Sequence, residues 1–176
     1  TFDSSVGVTS SLLSNALEYT AIDKDDKVYI VGDIVSYDGN ATTNLARINA
    51  DGTFDATFDT GSGFNNAAVS FVLPDDVNGG ALFLGSFTQY SGNTVGRIAK
   101  ILDDGALDAT FNVGTGFNGP TLSAVDTGDG YVISGAFTQY SGVSQNYLVK
   151  LKYDGSKDNT FIANASTSIN GLIKQS

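Results

Sequence analysis

Cysteine, histidine, methionine and tryptophan are all missing from this chain of 176 residues. Without a thiolate or an imidazole, the chain alone offers no cysteine nucleophile, no histidine base and no Cys/His metal site. The lack of cysteine also removes disulfides, so redox compartment stays open. Proline is confined to Pro74 and Pro120. Positive charge is scarce: nine basic residues face nineteen acidic ones, for a formal net charge of −10. Such a chain repels phosphate backbones and anionic bilayers, so neither nucleic acid nor a membrane is an expected partner. Long apolar runs are lacking too. Stretches such as Val28–Val31 and Ala81–Leu84 fall far below the roughly 18 residues of a spanning helix.

What the chain has in quantity is glycine, with 21 residues, and 41% hydrophobic residues carried in short runs. That composition suits a β-protein with many tight turns. The strongest signal is self-similarity. Phe87-Thr88-Gln89-Tyr90-Ser91-Gly92 returns unchanged at Phe137 to Gly142, with a weaker copy at Ile34 to Gly39. A second signature joins Asp-Gly to a later Asp and Phe: Asp51, Gly52, Asp55 and Phe58; Asp104, Gly105, Asp108 and Phe111; Asp154, Gly155, Asp158 and Phe161. Its phenylalanines, like the tyrosines Tyr37, Tyr90 and Tyr140, lie 53 and 50 residues apart. Periods near this length mean propellers, solenoids or arrays. The repeats divide the chain into a preceding tail and linker over 1–15, repeats over 16–65, 66–118 and 119–161, and the start of a further repeat over 162–176. Thr1-Phe2-Asp3 matches Thr57-Phe58-Asp59. Both ends fall within a motif, so the expectation is an excerpt of a longer chain.

Each period reads as short β-strands. The first is expected at Leu17–Ile22, Ala67–Leu73 and Leu122–Val125, and the second at Lys27–Val31, Ala81–Leu84 and Tyr131–Ser134. The third is expected at Leu45–Asn49, Arg97–Leu102 and Tyr147–Tyr153. These runs are rich in β-branched and aromatic residues between Gly and Asp turns. A brief fourth element precedes Phe58, Phe111 and Phe161. A helical turn or two could form over Ser10–Glu18. The fold class is therefore all-β, with about three propeller-type blades of four short antiparallel strands. Closed propellers use about four to eight blades, so these would belong to a larger or oligomeric propeller. A closed pseudo-threefold β-prism or β-trefoil is the alternative.

The sequence Gly85, Phe87, Thr88, Tyr90, Gly92, then a strand with a central cation, then Asp104-Gly105, Asp108, Phe111 and Gly114-Thr115-Gly116-Phe117-Asn118, resembles the delta-60 repeat. The resemblance spans essentially the whole chain. It implies β-propeller-like repeats of about four strands, found in phage structural proteins and large secreted bacterial proteins. It implies no activity. The first repeat departs at Asp33-Ile34-Val35 and the third at Ser168-Ile169-Asn170.

Chemical readings compete with structural ones at each motif. Gly114 to Gly119 satisfies G-x-G-x-x-G, but Pro120 and a strand follow instead of a helix, and Asn66 replaces the last glycine in the sister copy. Asn49, Asp51, Asp55 and Asp59, and again Asp103, Asp104, Asp108 and Asn112, could supply oxygens to calcium. Turn formation by Asp51 and capping by Asp55 explain the same residues. Catalytic carboxylate pairs are normally singular, whereas these aspartates recur; only Glu18 and Asp33 do not. Arg47, Lys100 and Lys150 share one strand position, read as facing solvent and meeting nearby aspartates. Tyr37, Tyr90 and Tyr140 would stack on sugar rings if exposed, or anchor each blade if buried. Asn40-Ala41-Thr42 and Asn164-Ala165-Ser166 are formal sequons, relevant only in a eukaryotic secretory setting.

The expected function is a non-enzymatic structural or receptor-engaging module, extracellular or in a virion, such as a phage tail appendage or bacterial adhesin. A lectin-like glycan-binding module is the alternative, and a glycoside-active enzyme stands third. No cofactor or metal is expected. Expected partners are other chains or copies of itself through the incomplete terminal repeats, and a cell-surface glycan. Because the aspartates are assigned to turns and caps, calcium or EDTA should leave the melting temperature nearly unchanged; a stabilisation that grows with free calcium would overturn the assignment.

Overall fold

The computed structural model describes residues 7–9, 17–66 and 68–175. Among these the chain is all-β, without a helix, so no helix is long and apolar enough to cross a membrane. The expected helical turn over Ser10–Glu18 and the Thr1-Phe2-Asp3 copy lie mostly or wholly outside the described residues.

Three antiparallel sheets of three strands repeat along the chain. The first joins Tyr19–Ile22, Val28–Val31 and Leu45–Ile48. The second joins Val69–Pro74, Ala81–Gly85 and Ile98–Ile101. The third joins Thr121–Asp126, Tyr131–Gly135 and Leu148–Leu151. The second strand of each repeat is the middle one, which suits its unbroken apolar character. The expected fourth strand shrinks to a single bridge: Phe54 pairs with Ile48, Leu107 with Ile101 and Lys157 with Leu151. Instead each repeat carries a small hairpin between its second and third strands. These hairpins are Ser36–Tyr37 with Asn40–Ala41, Gln89–Tyr90 with Asn93–Thr94, and Gln139–Tyr140 with Val143–Ser144. Their strands are two residues long and largely polar, so no alternating pattern can mark them.

Alternation in the middle strands directs side chains to both sheet faces. Tyr29 and Val31 on the first sheet meet Ala81 and Phe83 on the second. Leu82 and Leu84, on the other face of the second, meet Tyr131 and Ile133 on the third. The two inter-sheet clusters stand in series, and no single core is shared by all three sheets. This is the stacking of successive propeller blades, with no closed barrel among the described residues. Thr121, fully buried, ties the second junction: its hydroxyl receives the Gly85 N–H at 2.8 Å and donates to the Arg97 carbonyl at 2.7 Å.

Segments between the sheets belong to both neighbours. Phe64, leaving the first repeat, packs its ring 4.3 Å from Phe87 and 4.9 Å from Tyr90 of the second. Phe117 does the same on Phe137 and Tyr140, at 4.5 and 4.7 Å. Val8–Thr9 pairs with Ser36–Tyr37 where Phe64 and Phe117 bridge to Tyr90 and Tyr140. The chain before the first repeat thus fills the place of an inter-repeat linker.

The recurring phenylalanines are buried at Phe58, Phe87, Phe111 and Phe137. Phe161, in the same repeat position as Phe58 and Phe111, is only half-buried. Phe111 packs edge-on against Tyr131 of the following sheet at 6.2 Å. Among the described residues no sheet follows the third repeat to serve Phe161 in the same way. Phe111→Ala should therefore cost about 3–5 kcal/mol. Phe161→Ala should cost clearly less, as read by urea denaturation of both variants.

Candidate functional site

The two sequence signatures meet in one hydrogen-bonded unit, built again in every repeat. Asp51, Asp104 and Asp154 open the Asp-Gly turns, each accepting the N–H two residues on, from Thr53, Ala106 and Ser156. Gly52, Gly105 and Gly155 take positive φ, which glycine adopts without steric cost. The tyrosine hydroxyl of the same repeat then donates to the glycine carbonyl: Tyr37 to Gly52 at 2.8 Å, Tyr90 to Gly105 at 2.6 Å, and Tyr140 to Gly155. A Cβ on Gly105 would collide with the backbone of Asp59, whose N–H donates to the Asp104 carbonyl at 2.9 Å. Asn112 meets Asp154 and Gly155 likewise. The turn is the contact point between one repeat and the tail of the one before.

Tyr37, Tyr90 and Tyr140 are therefore 5%, 1% and 3% exposed, and they cannot act as the open stacking platforms of the glycan reading. Burial pushes the phenols of Tyr90 and Tyr140 well above their ordinary range, reinforced by Asp59 and Asp104 near Tyr90 and by Asp154 near Tyr140. They remain neutral donors.

The second aspartate of each signature works on two sides. One carboxylate oxygen of Asp55, Asp108 and Asp158 accepts the N–H and hydroxyl of the threonine two residues on, at 2.5 to 3.1 Å. The other oxygen faces the strand cation: Arg47 at 2.7 Å, Lys100 at 3.9 Å and Lys150 at 3.8 Å. A second acid completes each cluster, Asp103 for Arg47, Asp75 for Lys100 at 3.2 Å and Asp129 for Lys150 at 2.7 Å. The cations do not face solvent as the alternation suggested. Arg47 and Lys100 are buried and Lys150 is half-buried: the signature aspartates Asp55, Asp108 and Asp158 are largely buried beside them, while Asp103 and Asp129 close their clusters from the exposed side.

Arg47 is the most enclosed of the three. Its guanidinium sits 4.6 Å from the centre of the Phe58 ring, meets the Tyr29 hydroxyl at 3.3 Å and donates to the Asp103 carbonyl at 2.8 Å. Burial works against its charge, yet Tyr29, Asp103 and Asp55 outweigh it and hold the group above its usual value. Burial likewise opposes the Asp55 charge. The Thr57 hydroxyl, Lys27 and Arg47 overcome it and keep the carboxyl far below its ordinary range. The Tyr29 phenol is pushed up to about 12, by burial above all.

One set of working residues was not singled out by role in the sequence. Asn65 accepts the N–H groups of Thr88 and Gln89 on its Oδ1, both at 3.1 Å, and donates to the Thr88 hydroxyl at 2.9 Å. Asn118 repeats this on Thr138 and Gln139. The recurrence of Gly-Phe-Asn was the available signal: the phenylalanine packs and the asparagine clamps the next repeat's hairpin.

With this geometry in place, comparison with known families is decisive. The model described as "Domain of unknown function (DUF5122) beta-propeller" matches residues 24–58, 82–111 and 128–161, more than half of the chain. The chain belongs to this family. No curated protein and no solved structure matches it. Each DUF5122 segment ends on the signature phenylalanine, Phe58, Phe111 or Phe161, and holds the middle strand, the hairpin, the cation and the Asp-Gly turn. The first strands, Tyr19–Ile22, Val69–Pro74 and Thr121–Asp126, lie outside the segments. Signature and hydrogen-bonded unit coincide.

The recurring acids of this DUF5122 propeller are thus held by hydroxyls, amides and cations. Among the described residues no group of acids is arranged to hold a metal ion. Asp55 binds protons less readily folded than unfolded. Its stabilising effect is complete above the ordinary value of 3.8 and fades as pH falls through the lower folded value. Asp55→Asn should cost about 3 kcal/mol at pH 7, since Arg47 loses one buried partner. It should also flatten the stability loss that urea melts show below about pH 4.

Proposed function

We propose that this chain is a non-enzymatic structural or receptor-engaging module of the delta-60 repeat type, working outside the cell in a phage tail, a virion appendage or a bacterial surface adhesin. The observation that carries the reading is the use made of the recurring polar residues. Asp51, Asp55 and their copies, Tyr37, Tyr90 and Tyr140, Asn65 and Asn118, and the strand cations are all engaged in joining strands and repeats. A catalytic pair would instead leave two acids facing a common space. The thiol-free, acidic composition and the hydroxyl- and amide-rich hairpins favour an exposed setting.

The partners in this reading are copies of the chain or other chains that pack on the blades. Supporting them are half-buried Leu148 and Phe161 beside the outer face of the third sheet, and Ile162, which is 83% exposed. In the segment beyond it, the Leu172 N–H donates to the hydroxyl of buried Ser123 at 3.1 Å. Light scattering across a wide concentration range should give a mass above that of one chain, and Ile162→Asp should lower it. A single-chain mass at every concentration would remove the partner reading. Turnover of any member of a glycoside panel would remove the non-enzymatic one.

A further inference from the structure

In a repeat protein, residues that recur hold the scaffold, and a residue that departs at one repeat is free for another use. The third repeat departs at the position after the Asp-Gly turn. Phe54 and Leu107 occupy it in the first two repeats, and each packs into an apolar cluster beside its tyrosine. In the third the residue is Lys157, bridged to Leu151 by its backbone. Two residues on, Ala56 and Ala109 give way to Asn159. A cleft of about 530 Å³ opens there, lined by Tyr140, Ser141, Val143, Lys157, Asn159 and Asn112 among others. That volume is within the range of small-ligand sites.

The cleft's polar groups are unspent. The Ser141 hydroxyl, the Lys157 ammonium and the Asn159 amide make no hydrogen bond or ion pair with described residues. Asn112 uses its Oδ1 on the Gly114 N–H at 3.0 Å and keeps its amide donors. Val143, 58% exposed, supplies an apolar patch beside the Tyr140 ring. Convergent donors around a small apolar surface fit a ring that is hydroxylated at its rim and C–H on its face.

We propose that this cleft binds a neutral pyranose residue of a glycan chain. The inference deepens the receptor-engaging side of the proposed function and rests on it. It moves the glycan contact from the buried tyrosine rings to the groove beside the third of them. Long-range charge selects the neutral ligand. Lys157 is the one charged residue lining the cleft, but Asp154 and Asp158 lie near it in sequence and the whole chain carries −10, which opposes the approach of a carboxylate-bearing sugar.

The test is amide NMR of the intact chain titrated with methyl glycosides of glucose, galactose, mannose and N-acetylglucosamine, and separately with glucuronate and N-acetylneuraminate. The expected result is saturable shifts at Ser141–Val143 and Lys157–Asn159 with at least one neutral glycoside. The acidic sugars should bind at least roughly tenfold more weakly. Lys157→Leu restores the side chain seen at Leu107, so it should fold with an unchanged melting temperature and lose the shifts. Three outcomes overturn the proposal: no saturable shift from any neutral glycoside, shifts confined to another surface, or shifts that survive Lys157→Leu. None of these alters the oligomeric mass, so the assembly reading stands or falls separately.

Discussion

A tyrosine hydroxyl donating to a glycine carbonyl fifteen residues further along the chain is the constraint on which each repeat depends. The tyrosine ends the first strand of the hairpin and the glycine lies in the turn after the third strand. The bond therefore closes the repeat across its two loops. The ring fills the space beneath, and the next contact follows from it. Because the glycine lacks a Cβ, the backbone of the preceding tail can lie against the turn and donate to the aspartate carbonyl. Closing one repeat and attaching it to its neighbour are the same event at the same residues.

Stability then follows the logic of a linear array, in which each unit gains from its own bonds and from the junction with the next. The junctions share their recurring aromatics, Phe58, Phe64, Phe87 and Tyr90 in the first and Phe111, Phe117, Phe137 and Tyr140 in the second. They differ in what the middle strands bring, Tyr29 and Phe83 to the first but Leu82, Leu84, Tyr131 and Ile133 to the second. The clamps Asn65 and Asn118 span both junctions in the same way, so the polar bonding recurs more faithfully than the apolar packing. Hydrogen-bond geometry tolerates little variation, whereas apolar volume can be filled by several combinations.

Much of this was legible in the sequence. The nine sheet strands lie where short β-branched and aromatic runs place them, with ends shifted by one or two residues. The Asp-Gly turns, and the capping by Asp55 and its copies, follow from turn chemistry. Two features were not legible. The two-residue hairpins carry no periodic signal, since Gln89-Tyr90 and Asn93-Thr94 are too short to alternate. The burial of Arg47 and Lys100 was hidden because a cation in an alternating strand reads as a solvent position, and its compensating acids come from loops 8 to 56 residues away. The candidate site was readable only as a recurrence. The tyrosines stood out, but their depth is decided by a carbonyl that no side-chain pattern reports. Lys157 shows the reverse limit: its meaning lies in what the two earlier repeats have and it lacks.

The cations also make the repeats non-interchangeable. Lys100 and Lys150 find both their acids within their own repeat, whereas Arg47 reaches forward to Asp103 of the second. The position matching Asp103 in the third repeat is Tyr153, whose hydroxyl is already committed to Asp126. A shuffled chain that set the first repeat directly against the third would leave a buried guanidinium facing a phenol instead of a carboxylate. Units alike in outline therefore have a fixed order, and the address is written in charge rather than in shape.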